Sequence, residues 1–227
     1  MEQRSIAIDG PAGAGKSTLA MMSAKHYGYI YVDTGALYRC IGLYALSNNV
    51  ESKDKTGVIK LLPEINIEMK YDETGVQRMI LNGADVTEKI RFPKMSGYAS
   101  DVSAMPPVRD FLLSTQRDMA ARYDIIMDGR DIGTVILPGA GLKVFLTAKL
   151  ETRARRRYLE FMEKSIDATY EDVLRAMEIR DKNDSERAVA PLKPAGDSVM
   201  LDTTYLDLNE SFTALCGLID KRFPKKE

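Results

Sequence analysis

Residues 10–17 read Gly-Pro-Ala-Gly-Ala-Gly-Lys-Ser, the pattern G-x-x-x-x-G-K-[ST], and no other feature of the chain restricts its fold as much. The string follows the β-branched run Ser5-Ile6-Ala7-Ile8 and opens a helix-favouring stretch to about Tyr27. In that strand–loop–helix context, glycines without a Cβ let the backbone curl and turn its N–H groups inward, and the helix N-terminus adds partial positive charge. Gly10, Pro11, Ala12, Gly13, Ala14 and Gly15 are therefore expected to cradle nucleotide phosphates, with Lys16 reaching the β and γ phosphates. The Ser17 hydroxyl suits Mg²⁺, and Asp128, closing the run Asp124 to Asp128, stands where a magnesium carboxylate is expected, bound directly or through water.

Four further short runs resemble the first: Tyr29-Ile30-Tyr31-Val32, Ile125-Ile126-Met127, Lys143-Val144-Phe145-Leu146 and Val199-Met200-Leu201. Each is apolar along its length and closed by a polar residue or glycine, which reads as a buried parallel strand. Five such strands with helical stretches between them predict an α/β fold, a five-stranded parallel sheet with helices on both faces. The long stretch between the second and third runs differs. Ile65 to Met69 and Val76 to Leu81 alternate, and Asn82-Gly83 signals a hairpin whose flanks allow more than one register, so residues 60 to 92 read as a small antiparallel insert. Pro93 closes it, and Pro106-Pro107 precedes a helix with Val108, Phe111, Leu112 and Met119 near helical spacing. Residues 151–163 and 170–182 favour helix, with Glu171/Arg175 and Glu178/Lys182 at i,i+4, and the chain between and after them reads as polar and mobile.

The 227 residues are 44% apolar, enough for a sizeable core. With 32 basic against 33 acidic side chains the net charge is −1, so no global field draws the chain to nucleic acid or to an acidic membrane, and any anion site must be local. Cys40 and Cys216 lack metal-ligand spacing and read as reduced, buried thiols. The N-terminus shows no apolar leader and no run is long enough to span a bilayer, so a cytoplasmic protein is expected, and a monomer. The basic tail Lys225-Lys226 is expected to fray.

The nature of the phosphoryl acceptor follows from the arginines. An Asn-Lys-x-Asp guanine reader is absent, which argues against a GTPase switch. Residues 153–187 hold seven Arg and two Lys against nine acidic residues, so they form no polyanion stripe and individual placement decides. On a helix Arg153, Arg156 and Arg157 share a face while Arg155 points away, and Arg180, Asp184 and Arg187 are related by i,i+4,i+7 if the helix reaches that far. Two phosphates brought to 4 Å repel by about 4 kcal/mol per unit-charge pair at an effective dielectric of about 20. A phosphate-bearing acceptor therefore needs several guanidinium groups, whose planar forks bridge phosphate oxygens. Such an acceptor is already anionic at neutral pH and needs no general base, which leaves the single histidine, His26, a structural role.

The motifs Asp9 to Thr18 (DGPAGAGKST), Asp33 to Arg39 (DTGALYR), Asp128 to Thr134 (DGRDIGT) and Arg187 to Leu192 (RAVAPL) occur in an order that resembles the bacterial cytidylate kinases over essentially the whole chain, insert included. The resemblance implies transfer of the γ phosphate of ATP, with Mg²⁺, to CMP or dCMP. It places Thr34, Arg39, Arg130 and Arg187 at the monophosphate, Arg180 and Asp184 at the ribose, and Ser100, Arg109 and Asp131 at cytosine. Thr34 replaces the commoner Ser and keeps the hydroxyl. Thr18 completes the phosphate loop, and Arg153, Arg156 and Arg157 fall in a lid over ATP, with Arg153 and Arg157 taken as its contacts. Lys16, Arg130, Arg180 and Arg187 would then neutralise charge during transfer. The implied domains are a core of residues 1–33 and 122–227, with the lid at about 150–167, and an acceptor-binding region of residues 34–121. A kinase of another nucleoside monophosphate or small acceptor, and a non-enzymatic nucleotide-binding module, remain the alternatives.

Overall fold

The computed structural model describes residues 3–73 and 77–224, so Val76 of the expected insert and the Lys225-Lys226 tail lie outside the described residues. In chain order the regular elements are β1 (Ser5–Asp9), α1 (Lys16–Tyr27), β2 (Ile30–Asp33), α2 (Thr34–Ser47), α3 (Lys55–Leu61), β3 (Ile67–Tyr71), β4 (Gln77–Leu81), β5 (Ala84–Asp85), α4 (Pro93–Ser103), α5 (Pro106–Arg122), β6 (Ile125–Gly129), β7 (Leu142–Thr147), α6 (Leu150–Glu163), α7 (Tyr170–Glu186), β8 (Val199–Asp202) and α8 (Leu208–Arg222). They divide into two compact units, Met1–Ile30 with Tyr123–Glu227, and Tyr31–Arg122.

The expected five-stranded sheet has strand order β2-β6-β1-β7-β8, and its strands β1, β6, β7 and β8 lie in the first unit. β1 lies parallel to β6, with Ser5 opposite Ile125 and Asp9 opposite Gly129, and parallel to β7, with Ile6 opposite Leu142. Ile6, Ala7, Ile8, Ile125, Ile126 and Met127 are fully buried, as central strands covered on both faces require. That register brings the C-terminal ends of β1, β6 and β7 to one level, the edge of an open α/β sheet where ligands bind. β8 departs from the expectation of burial. It is an edge strand, and Val199 and Met200 are 40% and 55% exposed.

α7 continues to Glu186, four residues past the expected end, and stops where Arg187 turns extended (φ −60°, ψ 140°). Arg180 and Asp184 therefore share a helix face, and Arg187 stands just beyond it rather than on a third turn.

The second unit has its own core, in which Leu37 and Ile41 of α2 meet Met79 and Leu81 of β4, Val102 of α4 and Val108 and Leu112 of α5. Its sheet is antiparallel, in order β3-β4-β5. One register is selected: Ile67 opposes Leu81, and the Asn82-Gly83 turn joins β4 to β5 with both residues at positive φ (48° and 83°), as a two-residue hairpin demands. On α5 the buried stripe is Val108, Leu112 and Gln116, and Gln116 takes the place expected of Met119. Pro106 and Pro107 lie within the first turn of α5, where a missing N–H breaks no bond.

Candidate active site

The phosphate loop leaves β1 at Gly10, where a Cβ would fall onto the Leu146 carbonyl of β7, so close approach of two backbones dictates glycine. Ala12 is packed against Ala154, Val173 and Met177 of α6 and α7, which holds the loop from outside. Lys16 opens α1, and its Nζ turns back to donate to the Pro11 carbonyl at 2.7 Å. Burial, and next the neighbouring Arg130 charge, hold its pKa well below the usual lysine value. Ser17 and Thr18 are exposed on the first turn of α1. The Ser17 hydroxyl donates to Asp128 Oδ2 at 2.8 Å, joining the helix start to the end of β6.

Beside the loop, at the end of β6 and on α7, guanidinium and carboxylate groups are paired. Arg130 Nε donates to Asp184 Oδ2 at 2.8 Å, and Arg187 donates from a terminal nitrogen to Asp131 Oδ1 at 3.1 Å. Asp131, Arg187 and Asp184 are almost wholly buried. Burial opposes the Asp184 charge, but Arg130 and then Arg180 outweigh it and hold its carboxyl below the usual range. Asp184 in turn raises Arg130 against the same opposition from burial. Arg180 also lowers the Lys16 pKa, so the loop lysine and these arginines share one electrostatic neighbourhood.

The three lid arginines have different surroundings. Arg153 is buried, and its guanidinium donates to the Ala148 and Ala12 carbonyls at 2.8 and 3.0 Å and meets Asp181 at 2.7 Å, which braces the loop. Arg156 donates to the Thr203 and Leu206 carbonyls and ties α6 to the chain after β8. Arg157 lies over the Phe161 ring and pairs with Glu160 at 2.7 Å.

In the second unit Asp33 caps α2, its Oδ1 accepting from the Ala36 N–H at 3.0 Å. Its Oδ2 meets Arg39 at 2.6 Å and Arg91, from the insert, at 3.5 Å. Against the effect of burial, those two charges hold the Asp33 carboxyl low. Thr34 is buried as the first residue of α2. Arg109 is also buried; its guanidinium lies 5.9 Å from the Tyr38 ring centre and donates to the Ser103 carbonyl at 3.3 Å. The Ser103 hydroxyl donates to the carbonyl of Ser100. Both units thus carry buried cations already oriented by protein groups.

Comparison with known proteins decides between classes of phosphate chemistry. The family model described as cytidylate kinase matches residues 6–221. This chain belongs to the cytidylate kinase family. A cytidylate kinase of Caldicellulosiruptor saccharolyticus is 49% identical over 221 residues, 97% of either chain. One from Lactobacillus johnsonii is 45% identical over 217 residues, covering 96% of this chain and 94% of the relative. Among solved structures, an uncharacterized protein from Eubacterium ventriosum aligns over 96% of this chain and 99% of its own with a TM-score of 0.52 at 15% identity, a likeness of fold alone.

Within this family frame, Asp9, Asp33, Arg91 and Asp181 are the polar residues that sequence reasoning left without a role. Asp33 had a signal, since Asp before Thr-Gly at the start of a helical stretch is an N-cap pattern. Asp9 closes its strand as Asp128 does. For Arg91 and Asp181 the partners, Asp33 and Arg153, are remote in sequence, and no local pattern marks them.

Proposed function

We propose that the chain transfers the γ-phosphoryl group of ATP to CMP or dCMP, giving ADP and the corresponding diphosphate. The observation that carries this reading is the pair of buried guanidinium–carboxylate contacts, Arg130–Asp184 and Arg187–Asp131, in the unit that holds the phosphate loop. Charge neutralisation and in-line positioning are what a transfer between two anions needs, and prepaid orientation of arginines by carboxylates supplies it.

The residues also suit magnesium. Among the described residues no cluster of three or more His, Cys, Asp or Glu has metal-holding geometry. The oxygen pair Ser17–Asp128 fits a hard cation that keeps several waters and takes its other ligands from phosphate. When bound, Mg²⁺ would neutralise charge on the β and γ oxygens. Lys16, released from the Pro11 carbonyl, would donate to those oxygens, while the loop N–H groups hold the β phosphate. The acceptor phosphate would be held by Arg39, Arg130 and Arg187 with the Thr34 hydroxyl, and the ribose by Arg180 and Asp184. Ser100, Arg109 and Asp131 would read cytosine, a carboxylate accepting from its exocyclic amine. The attacking oxygen carries its own negative charge, so no base is required. His26 accordingly sits edge-on to Tyr27 and Phe212, on the helix far end from Lys16. The thiols of Cys40 and Cys216 are free, the first buried and the second only half-buried rather than buried as expected; free thiols suit a reducing cytoplasm, and among the described residues no helix is long and apolar enough to cross a membrane.

An acceptor panel tests the reading. Coupled ADP release with CMP, dCMP, UMP, AMP, GMP and non-nucleotide acceptors should be fastest with the cytidine nucleotides. Preference for another acceptor would point to a different kinase, and nucleotide binding without acceptor-dependent ADP release to a binding module. In the same assay Asp131→Ala should lower the preference for CMP over UMP by about tenfold, because uracil has no amine to leave unpaired.

A further inference from the structure

Asp9 has no part in the transfer just described, yet it lies 4% exposed at the end of β1, one residue before the phosphate loop. Both its oxygens are taken by backbone donors: Oδ1 accepts from the Ile132 N–H at 2.7 Å and Oδ2 from the Gly133 N–H at 2.8 Å. Those two amides open a wide turn, Ile132–Ile136. In it Ile136 and Leu137 donate five residues back, to the Asp131 and Ile132 carbonyls at 3.2 and 2.7 Å. Turns of this width are uncommon and occur often at functional sites.

The residues immediately before the turn are Arg130 and Asp131, whose partners are Asp184 and Arg187. Asp9 therefore fixes the chain on one side of Arg130 and Asp131, while β6 fixes it on the other. Keeping a carboxylate there is costly. Burial pushes its pKa up to about 6, and the two backbone donors, then the charges of Asp131 and Lys16, modify that rise. No other side chain of similar size offers two acceptors to two adjacent N–H groups, since asparagine would set its own N–H against one of them.

We propose that Asp9 is a positioning residue for the acceptor: by holding the Ile132 and Gly133 amides it aims Arg130 and Asp131, and so governs acceptor affinity and base selectivity rather than donor binding. The inference rests on the reading of Asp131 as a cytosine contact and of Arg130 as a phosphate contact.

The test is steady-state kinetics of Asp9→Asn with CMP, UMP and MgATP varied in turn. Loss of one buried hydrogen bond should raise KM for CMP by about tenfold and shrink the preference for CMP over UMP, while KM for MgATP stays within about twofold. Unchanged CMP kinetics with a lowered Tm would make Asp9 purely structural and overturn the proposal. Equal losses toward CMP and MgATP would also overturn it, placing the action of Asp9 on the phosphate loop. If Asp9→Asn does not fold, Gly133→Ala stresses the same turn, because its Cβ would press on Lys143 Cδ at 3.1 Å and Cγ at 3.3 Å while lying in contact with Asp9 Oδ2. It should give the same one-sided rise in KM for CMP, and an even loss on both substrates overturns the proposal. Asp131→Ala run alongside separates the two readings. If it leaves the CMP preference intact, Asp131 is not the base reader, and the KM of Asp9→Asn then judges Asp9 through Arg130 alone.

Discussion

Buried carboxylates near the phosphate loop fall into two electrostatic kinds, and pH separates them. Asp184 faces Arg130 and Arg180, which hold its folded pKa below the unfolded value. Its contribution to stability is complete above the unfolded pKa near 4 and is lost as pH falls through the lower folded value. Asp9 is the reverse, its folded pKa raised to about 6 by burial. Its contribution is complete below about pH 4 and is lost as pH rises through about 6, a change of about 3 kcal/mol for a shift of about two units. Urea unfolding should therefore show the gap between wild type and Asp184→Asn widening from pH 3 to pH 7, reaching about 3 kcal/mol because Arg130 is left buried without its partner. Against Asp9→Asn, the wild type should lose relative stability over pH 4 to 7. Gaps that stay constant across pH would show that neither carboxylate has the stated environment. Sequence made the loop residues legible because the G-x-x-x-x-G-K-[ST] spacing is itself a local pattern, even though the reason for glycine at Gly10 is the remote Leu146 carbonyl. It left Asp9 and Arg91 without roles because their partners, Ile132 with Gly133 and Asp33, are remote in the chain.

At the scale of elements, α7 carries the most chemistry per turn, with Arg180, Asp181 and Asp184 on its last two turns. Its start is set by Thr169, whose hydroxyl oxygen accepts from the Asp172 N–H at 3.1 Å. Thr169→Ala removes that cap and should cost about 1 kcal/mol of unfolding free energy, while Thr169→Ser should restore most of it. Equal stability of the two variants in urea titrations would mean that the cap contributes nothing. The central strands were legible because a strand buried on both faces must be apolar throughout, as Ile6 to Ile8 and Ile125 to Met127 are. The same rule misjudged β8, an edge strand equally apolar in sequence, because exposure at an edge depends on sheet order and not on composition. Helix spacing likewise selected Met119 on α5, whereas Gln116 is the buried residue. An apolar template has no means of choosing a buried amide. The extension of α7 beyond residue 182 was missed because Asp181 to Glu186 is a polar run, and its helix rests on tertiary partners such as Arg153 and Arg130.

For the whole molecule the order of assembly follows from the way one unit interrupts the other. The central strand pair of the first unit joins Ser5 to Ile125, so pairing β1 with β6 closes a loop that contains the whole 31–122 unit. In the second unit β3 and β4 pair Tyr71 with Gln77, a closure of a few residues. The entropy of closing a loop grows as the logarithm of its length, so the long closure costs about 3 kcal/mol more than the short one. Units rich in local contacts also fold faster at similar stability. The second unit owns a separate core, from Leu37 and Ile41 to Val108 and Leu112, and does not wait for the sheet of the first. In pulse-labelling hydrogen exchange during refolding, amides of α2, β3, β4 and α4 should gain protection before those of β1, β6 and β7. Simultaneous protection of both sets would mean that the second unit cannot hold its core alone. Protection of the sheet first would show that hydrophobic collapse of the Ile-rich strands overrides chain distance.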